Sequence, residues 1–221
     1  MASRKASGVP DAPPQGADVT HRIGVLISGR GSNLQALIDA IAAGRLQAEI
    51  AVVISNRADA PGLDRARRAG IETLVRPHKD APSREAYDQA LVADLTARGV
   101  GLVVLAGFMR LLTAGFCDAF PNAIINVHPS LLPAFPGVDA QGQALAAGVA
   151  VSGATVHFVT PALDAGPIIL QAAVPVHAGD TAETLSARIL VEEHRVLPEA
   201  VGLVLTGRCR VEGDHVVITS A

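Results

Sequence analysis

The sequence predicts an α/β fold, a mostly parallel twisted sheet with helices on both faces. Five short, continuously apolar runs alternate with helical patterns between Arg22 and Val127. Strands that are apolar on both sides are buried on both faces, as the strands of parallel sheets are. The pattern changes after Pro136, where two strand-like stretches follow each other without a helix between them. We therefore expect antiparallel additions in the C-terminal third of the chain.

The first element is a predicted strand from Arg22 to Ile27, followed by a glycine turn (residues 28–33) and a helix with apolar residues at helical spacing. The later predicted elements are strand 48–55, helix 59–69, strand 71–75, helix 83–98 with Ser83 as N-cap, strands 102–105, 123–127, 151–159 and 167–176, helix 181–205, and a hairpin turning at 212–215. In the last helix we expect Asp180 and Glu183 to form a capping box and Pro198 to break or kink the helix.

The composition predicts one domain over residues 21–221, because 221 residues with 49% hydrophobic content can bury a sizeable core. Residues 1–20, rich in Ala, Ser, Gly and Pro, are predicted to be a disordered tail. A net charge of −3 lacks the basic footprint of a nucleic-acid-binding protein. The two cysteines suggest neither a disulfide framework nor a metal site, so a cytoplasmic location is expected. No stretch has the length and apolar character of a membrane span.

A polar pair ends the fifth predicted strand. Asn126 and His128 are two positions apart, so both side chains project from the same face of the strand. Pro129 starts a loop immediately afterwards, at the carboxyl end where open α/β sheets bind their ligands. An amide donor beside an imidazole can stabilise a developing oxyanion. The alternative is a pair that only finishes a strand and caps a loop.

The glycine turn opens a helix, and residues 32–35 resemble a capping box. Free N–H groups at a helix N-terminus, with glycines that allow close approach, can hold a phosphate. Leu34 stands where a dinucleotide-binding motif has its third glycine, Asn56 stands where a ribose-binding acid is expected, and no Gly-Lys-Ser/Thr follows. The predicted ligand is therefore a monophosphate; the alternative is a tight turn that needs glycine for its backbone alone.

Asp164 lies in a predicted loop between the two late strands. Beside His128 it would favour the imidazolium and orient the ring; otherwise it makes a turn before Gly-Pro. His157, on the strand before this loop, is expected to be structural. No group of His, Cys, Asp or Glu has metal-ligand spacing, so no metal is predicted. The segment 108–112 leaves the fourth strand at the same edge and suits a flat heteroaromatic ligand, or else packs in the core.

Together these residues resemble the phosphoribosylglycinamide formyltransferases, the folate-dependent enzymes of purine synthesis. The resemblance runs from about Arg22 to Leu205. Its markers are Ser-Gly-Arg-Gly-Ser-Asn-Leu-Gln (28–35), Ser-Arg-Glu-Ala-Tyr (83–87), Leu-Ala-Gly-Phe-Met-Arg (105–110), Asn-Val-His-Pro-Ser-Leu-Leu-Pro (126–133), Val-His-Phe-Val (156–159) and Asp-Ala-Gly-Pro (164–167). Methionyl-tRNA formyltransferases and formyltetrahydrofolate hydrolases share the Asn–His–Asp set, so the glycine turn is what selects this branch.

The resemblance implies a Rossmann-like formyltransferase fold whose N-terminal half binds phosphate and whose C-terminal half binds folate. It implies transfer of the formyl group of the cosubstrate 10-formyltetrahydrofolate to the glycine amine of 5-phosphoribosylglycinamide. The implied residues are Asn126, His128 and Asp164 for catalysis, Gly31, Ser32, Asn33 and Glu193 for the substrate, and Arg84, Met109, Arg110, Leu111 and Leu112 for the folate. Loop 137–141 departs from the family, many members of which carry histidines there. The resemblance therefore implies no substrate contacts from this loop.

Three other functions are possible for a chain with these residues. A formyltetrahydrofolate hydrolase would use the same three residues on water, but that family usually has an N-terminal regulatory domain. A methionyl-tRNA formyltransferase would need a C-terminal tRNA-binding domain and a basic surface. A non-catalytic nucleotide-binding module would leave Asn126, His128 and Asp164 without a role. The expected partners are small-molecule substrates, with neither nucleic acid nor membrane, and the expected assembly is a monomer or homodimer.

Overall fold

The computed structural model describes residues 21–219, which form a seven-stranded sheet flanked by helices and a separate two-stranded sheet. The elements are β1 Arg22–Ile27, α1 Ser32–Ala42, β2 Glu49–Ser55, α2 Gly62–Arg68, β3 Thr73–Val75, a 3₁₀ turn His78–Asp80, α3 Arg84–Thr96, β4 Leu102–Leu105, α4 Ala114–Ala119, β5 Ile124–His128, α5 Ala140–Ala146, β6 Val151–Phe158, β7 Ile168–Pro175, α6 Ala182–Leu205, β8 Cys209–Glu212 and β9 His215–Ile218. The predicted fold class is confirmed. The predicted tail, residues 1–20, lies outside the described residues.

The large sheet has the strand order β3-β2-β1-β4-β5-β6-β7. Strands β1 to β5 pair in parallel, and β6 and β7 join antiparallel, as expected for the C-terminal third. The chain moves outwards in one direction from β1 to β3 and then in the other from β4 onwards. The loops after β1 and β4 therefore diverge and leave a crevice at the carboxyl edge of the sheet. The N–H of Ser28 donates to the carbonyl of Gly107 at 3.0 Å and ties the two loops together at their base.

Apolar side chains cover both faces of the sheet, which is why its central strands are continuously apolar. One buried cluster holds Leu37 of α1 and Leu197 of α6, and the other holds Leu91 of α3 and Phe116 of α4. All four side chains are almost fully buried. Full burial of one such side chain is worth about 1.5–3 kcal/mol, so these layers fix the helices against the sheet.

The capping box predicted for α1 is wrong. Its N-cap is Gly31, which takes a left-handed backbone (φ 70°) and makes no side-chain cap. Only a residue without a Cβ adopts this conformation without strain. Asn33, in the first turn, uses its amide for a distant partner on α6 instead.

The capping box predicted for α6 lies at a different pair of residues. Thr181 is the N-cap, its hydroxyl accepts from the Thr184 N–H at 3.3 Å, and the Thr184 hydroxyl accepts from the Thr181 N–H at 2.9 Å. Asp180 instead forms a bidentate pair with Arg188, about two turns into the helix, because a guanidinium matches a carboxylate better than a single N–H does.

Pro198 does not break α6, which continues for 24 residues. Pro198 and its neighbours Leu197, Ala200 and Val201 are buried, so core packing holds the helix across the missing N–H. The short helices α4 and α5 were not predicted, because six or seven residues are too few to show a clear helical period.

Candidate active site

A cleft of about 550 Å³ opens at the carboxyl edge of the sheet, above β4, β5 and β6. Its size is within the range of small-molecule binding sites. Its lining comes from segment 105–112, from the end of β5, from loop 137–141, and from the β6–β7 connection up to Asp164. Asn126, His128, His157 and Asp164 all face this cleft.

His128 ends β5 and is almost fully buried. Its Nε2 lies 2.9 Å from the carbonyl oxygen of Phe135, and its Nδ1 lies 3.4 Å from Oδ2 of Asp164. Both ring nitrogens therefore face oxygen atoms that only accept. A neutral imidazole has one N–H, whereas the imidazolium has two. A neutral ring can therefore donate to one of these two oxygens, and a protonated ring to both.

Asp164 reaches His128 from the β6–β7 connection, where it takes a left-handed backbone with φ 47°. That conformation is uncommon for residues other than glycine, although aspartate adopts it more readily than most. Oδ2 of Asp164 also accepts from the N–H of Gly137 at 2.8 Å. The same carboxylate thus faces the histidine and holds the start of loop 137–141, and the structure unites two residues that the sequence alone could not.

His157, which was expected to be structural, lies within the site. The antiparallel register sets it directly opposite Asn126, and its Nε2 lies 3.2 Å from the Asn126 Nδ2 and 3.8 Å from Oδ1 of Asp164. Burial is the main cause that lowers the pKa of His157. The period-two alternation of β6 could have placed His157 on one face, but nothing local indicated that this face lines the cleft.

The glycine turn is held by backbone packing against α2. A Cβ on Gly31 would come within 2.6 Å of the Gly62 Cα, and the Gly62 N–H donates to the Gly29 carbonyl at 3.0 Å. Glycine at position 31 is therefore required by both close approach and positive φ. Ser32 and Asn33 begin α1, where the first N–H groups of a helix lack intrahelical acceptors.

Asn33 joins this turn to α6 across 160 residues of sequence. Its Nδ2 donates to Oε2 of Glu193 at 2.6 Å, and both side chains are buried. Loss of water around the carboxyl raises the pKa of Glu193, although the bond from Asn33 partly opposes the shift. Glu193 is thus placed beside the glycine turn rather than in the apolar cleft.

A smaller cavity of about 310 Å³ adjoins the turn through Ser32. Its remaining lining residues are Gln35, Ala36, Asp39, Arg45, Arg65 and His194. The Arg65 guanidinium donates to the Arg30 carbonyl at 2.9 Å and so lies against the turn. Two arginines and one aspartate give this side of the turn a positive balance, which favours an anion nearby.

Segment 108–112 forms one wall of the cleft. Phe108 and Leu112 are buried, whereas Met109 and Leu111 are 71% and 51% exposed. The guanidinium of Arg110 lies 5.6 Å from the ring centroid of Tyr87 and stacks on it. Burial raises the pKa of Tyr87 to about 12.

Arg84, expected near the tail of a bound folate, supports this wall from behind. Its Nε donates to the Leu111 carbonyl at 3.0 Å and its Nη2 to the Leu112 carbonyl at 2.9 Å. It does not belong to the lining of the cleft as described for residues 21–219.

Loop 137–141 forms the opposite wall and is stabilised by its own side chains. Asp139, with φ 56°, caps α5 by accepting from the Gly142 N–H at 3.2 Å, and the Gln143 amide donates to the Pro136 and Val138 carbonyls. Val138 is 81% exposed at the rim. The loop that departs from the family pattern is therefore ordered through hydrogen bonds within this chain.

Within residues 21–219 no group of three or more His, Cys, Asp and Glu side chains is arranged to hold a metal ion. In the same part of the chain, no helix combines the length and the apolar character needed to cross a bilayer.

Comparison with known proteins identifies the family. The model of the formyl transferase family matches residues 21–201. The phosphoribosylglycinamide formyltransferase of Escherichia coli (strain K12) is 46% identical over 187 residues, covering 85% of this chain and 88% of that protein. The crystal structure of glycinamide ribonucleotide transformylase 1 from Symbiobacterium toebii superposes with a TM-score of 0.90 at 59% identity, covering 91% of this chain and 95% of that one.

A longer relative contains a similar region. The trifunctional purine biosynthetic protein adenosine-3 of Drosophila pseudoobscura pseudoobscura is 52% identical over 191 residues, or 86% of this chain, yet the chain spans only 14% of that protein's length. The similarity to the trifunctional protein thus concerns one part of it. Because the family model matches most of this chain, and a relative of similar length is 46% identical to it, the chain belongs to the formyl transferase family.

Proposed function

We propose that this chain transfers the formyl group of 10-formyltetrahydrofolate to the glycine amine of 5-phosphoribosylglycinamide. The products are formylglycinamide ribonucleotide and tetrahydrofolate, and the step belongs to de novo purine biosynthesis. The observation that carries the proposal is the convergence of Asn126, His128 and Asp164, from two separate segments, on one apolar cleft. Membership of the formyl transferase family, with a 46% identical phosphoribosylglycinamide formyltransferase as relative, supports the same substrates.

The substrate phosphate is assigned to the glycine turn. Gly31 gives the turn its left-handed backbone, and the N–H groups of Ser32 and Asn33 that follow it stand at the positive end of the α1 dipole. Arg65, held against the turn, adds positive charge. Glu193, hydrogen-bonded to Asn33 beside the turn, is assigned to the same substrate.

The pterin of the folate is assigned to the apolar cleft. Met109, Leu111 and Val138 at the rim expose large apolar surfaces that a flat heterocycle would cover. Leu112 and the backbone of Arg110 add to the same wall, and Arg84 fixes the Leu111 and Leu112 carbonyls. The folate is a cosubstrate held without a covalent bond, and no step of the proposal involves a metal.

The chemistry needs no nucleophilic side chain, because the substrate amine itself attacks the formyl carbon. A C–N bond forms to the amine, and the formyl oxygen becomes an alkoxide. Asn126 donates to this oxygen, and the imidazolium of His128 supplies a second N–H from Nε2, where the formyl oxygen replaces the Phe135 carbonyl as acceptor. The bond from carbon to the folate nitrogen then breaks, as that nitrogen gains a proton and the amine loses one. Asp164 holds the positive charge on His128 throughout.

The test is a folate assay with and without the amine substrate. Purified protein is mixed with 10-formyltetrahydrofolate, and formation of tetrahydrofolate is followed. Product that appears only after 5-phosphoribosylglycinamide is added supports transfer. Equal turnover without the amine would mean a 10-formyltetrahydrofolate hydrolase, and no turnover in either case would mean a binding module. His128→Ala, purified identically, is the control for contaminating activity and should be inactive.

We also propose that the enzyme is cytoplasmic and forms a single domain over residues 21–221. It would act on small molecules, without nucleic acid or membrane, as a monomer or homodimer.

A further inference from the structure

Two histidines flank the Asp164 carboxylate, and only His128 has a role in the proposed chemistry. Nδ1 of His128 lies 3.4 Å from Oδ2, and Nε2 of His157 lies 3.8 Å from Oδ1. Both rings are almost fully buried. Buried polar groups of this kind need a hydrogen-bond partner at each nitrogen, so their neighbours define their protonation.

The neighbours of His157 place a proton on Nδ1. Nδ1 lies 2.9 Å from the carbonyl oxygen of Phe158, which can only accept, so Nδ1 must carry a hydrogen. In a neutral ring, Nε2 then carries a lone pair. The nearest polar group to Nε2 is the amide of Asn126 at 3.2 Å, and a lone pair requires its NH₂ end.

We propose that His157 is a positioning residue, whose Nε2 accepts one N–H of the Asn126 amide and thereby fixes the amide so that its second N–H faces the reacting formyl oxygen. This inference rests on the proposed function for the identity of that oxygen. It assigns a role in the reaction to a side chain that does not itself contact the substrate. A primary amide has two N–H groups, so Asn126 can serve both partners at once.

The register of the sheet makes this contact specific. Asn126 on β5 and His157 on β6 are direct cross-strand partners, whose Cβ atoms lie about 4.5–5.5 Å apart in antiparallel pairs. The charged groups that face His157 are Asp164 and, beyond it, His128. Burial lowers the pKa of His157 and outweighs the opposing effects of the Phe158 carbonyl and Asp164, which favours the neutral ring.

A charged His157 would reverse the arrangement. Its Nε2 would become a donor, and the Asn126 amide would turn its oxygen towards it, which moves the NH₂ group away from its present position. The two imidazoles would then also compete for the single negative charge of Asp164. The observed contacts instead leave that charge to His128 alone.

The first test reads the tautomer directly and does not depend on turnover. In ¹⁵N-labelled protein without substrates, two-bond ¹H–¹⁵N spectra distinguish the Nδ1–H, Nε2–H and doubly protonated rings, and His157→Gln identifies the signal. We expect the Nδ1–H form of His157 near pH 7. An Nε2–H or a doubly protonated ring would overturn the proposal, whatever reaction the protein catalyses.

The second test asks whether His157 acts through Asn126. His157→Phe keeps a ring but removes the acceptor, whereas His157→Gln keeps an acceptor at a similar reach. We expect His157→Phe to lower kcat by roughly 10- to 100-fold, with little change in either KM. This loss should not exceed the one caused by removing an oxyanion donor itself. His157→Gln should recover most of the loss.

The decisive comparison is the double variant. In an Asn126→Ala background, His157→Phe should have almost no further effect on kcat, because residues that act as a unit are not additive. An equal fold loss in both backgrounds, or no rescue by His157→Gln at matched Tm, would overturn the proposal. If phosphoribosylglycinamide supports no turnover at all, the proposed function fails, and the tautomer measurement still judges the contact.

Discussion

The glycine turn and the apolar cleft are two halves of one site that are built in opposite ways. The turn is made by local sequence and is closed by packing, with Gly31 in contact range of the Gly62 backbone. The cleft is assembled by side chains from distant segments, such as Asp164 on Gly137 and Arg84 on Leu111. Its rim leaves large apolar side chains exposed, whereas the turn leaves almost none.

This difference predicts different responses to substitution. In the turn, stability and binding depend on the same atoms, so a change should alter both. In the cleft, the contacts that matter for the reaction contribute little to the core, so turnover can be lost while the fold remains.

The largest expected effect is that of Asp164→Asn on turnover. The amide has nearly the same shape, can still accept from the Gly137 N–H, and tolerates the left-handed backbone, but it cannot balance the charge of His128. We expect kcat to fall by roughly 10²–10⁴-fold, the usual range for a disabled acid–base function, with Tm nearly unchanged.

Asp164→Ala separates the two tasks of this carboxylate. It should lose the same turnover and also raise KM for the folate, because loop 137–141 loses its anchor. Near-normal kcat in Asp164→Asn would reduce Asp164 to a loop anchor and contradict the proposed chemistry.

In the glycine turn, Gly31→Ala should lower stability and binding together. A left-handed backbone costs a residue with a Cβ about 1–3 kcal/mol, and contact with Gly62 adds to this cost. Denaturant unfolding and KM for phosphoribosylglycinamide are the measurements. Gly29→Ala is the matched control, since a Cβ there meets nothing within 4 Å. Equal effects of both variants would mean that close approach at Gly31 is not what the turn requires.

A smaller effect is expected from Arg84→Ala behind the cleft wall. Its loss removes two charge-assisted hydrogen bonds to the Leu111 and Leu112 carbonyls. We expect KM for the folate to rise about tenfold, since such bonds contribute about 1.5–3 kcal/mol at most. KM for phosphoribosylglycinamide should not change. Arg84→Lys, which keeps the charge without the planar fork, should be intermediate; a full recovery would point to charge rather than geometry.

The smallest effect is a gain in stability, expected for Glu193→Gln. Burial raises the pKa of Glu193 above its ordinary value, so its ionisation penalises the folded state as pH rises past the unfolded value of 4.5. The glutamine removes this penalty and can still accept from Asn33. Tm of the variant should therefore exceed that of the wild type by a few degrees near neutral pH, and the two should converge in acid. A difference independent of pH would contradict this account.

The parts of the molecule that sequence predicted are those with local causes. The apolar strands, the glycine turn and the side-by-side projection of Asn126 and His128 all follow from spacing and residue type. The contact between Asn33 and Glu193 joins residues 160 positions apart, and no local sequence pattern predicts it. The place of His157 beside Asn126 is likewise not local, because alternation shows only which side chains share a face, whereas the register with β5 sets His157 opposite Asn126.

The direction of β1 has a practical consequence for handling the protein. β1 begins at Arg22 and ends at Ile27, immediately before the glycine turn. A six-residue strand is about 20 Å long, so Arg22 lies at the opposite edge of the sheet from the reacting groups. An affinity tag, a surface linker or a fused enzyme attached ahead of this strand therefore joins the domain on the side away from the substrates, and immobilised protein should keep its cleft open to solution.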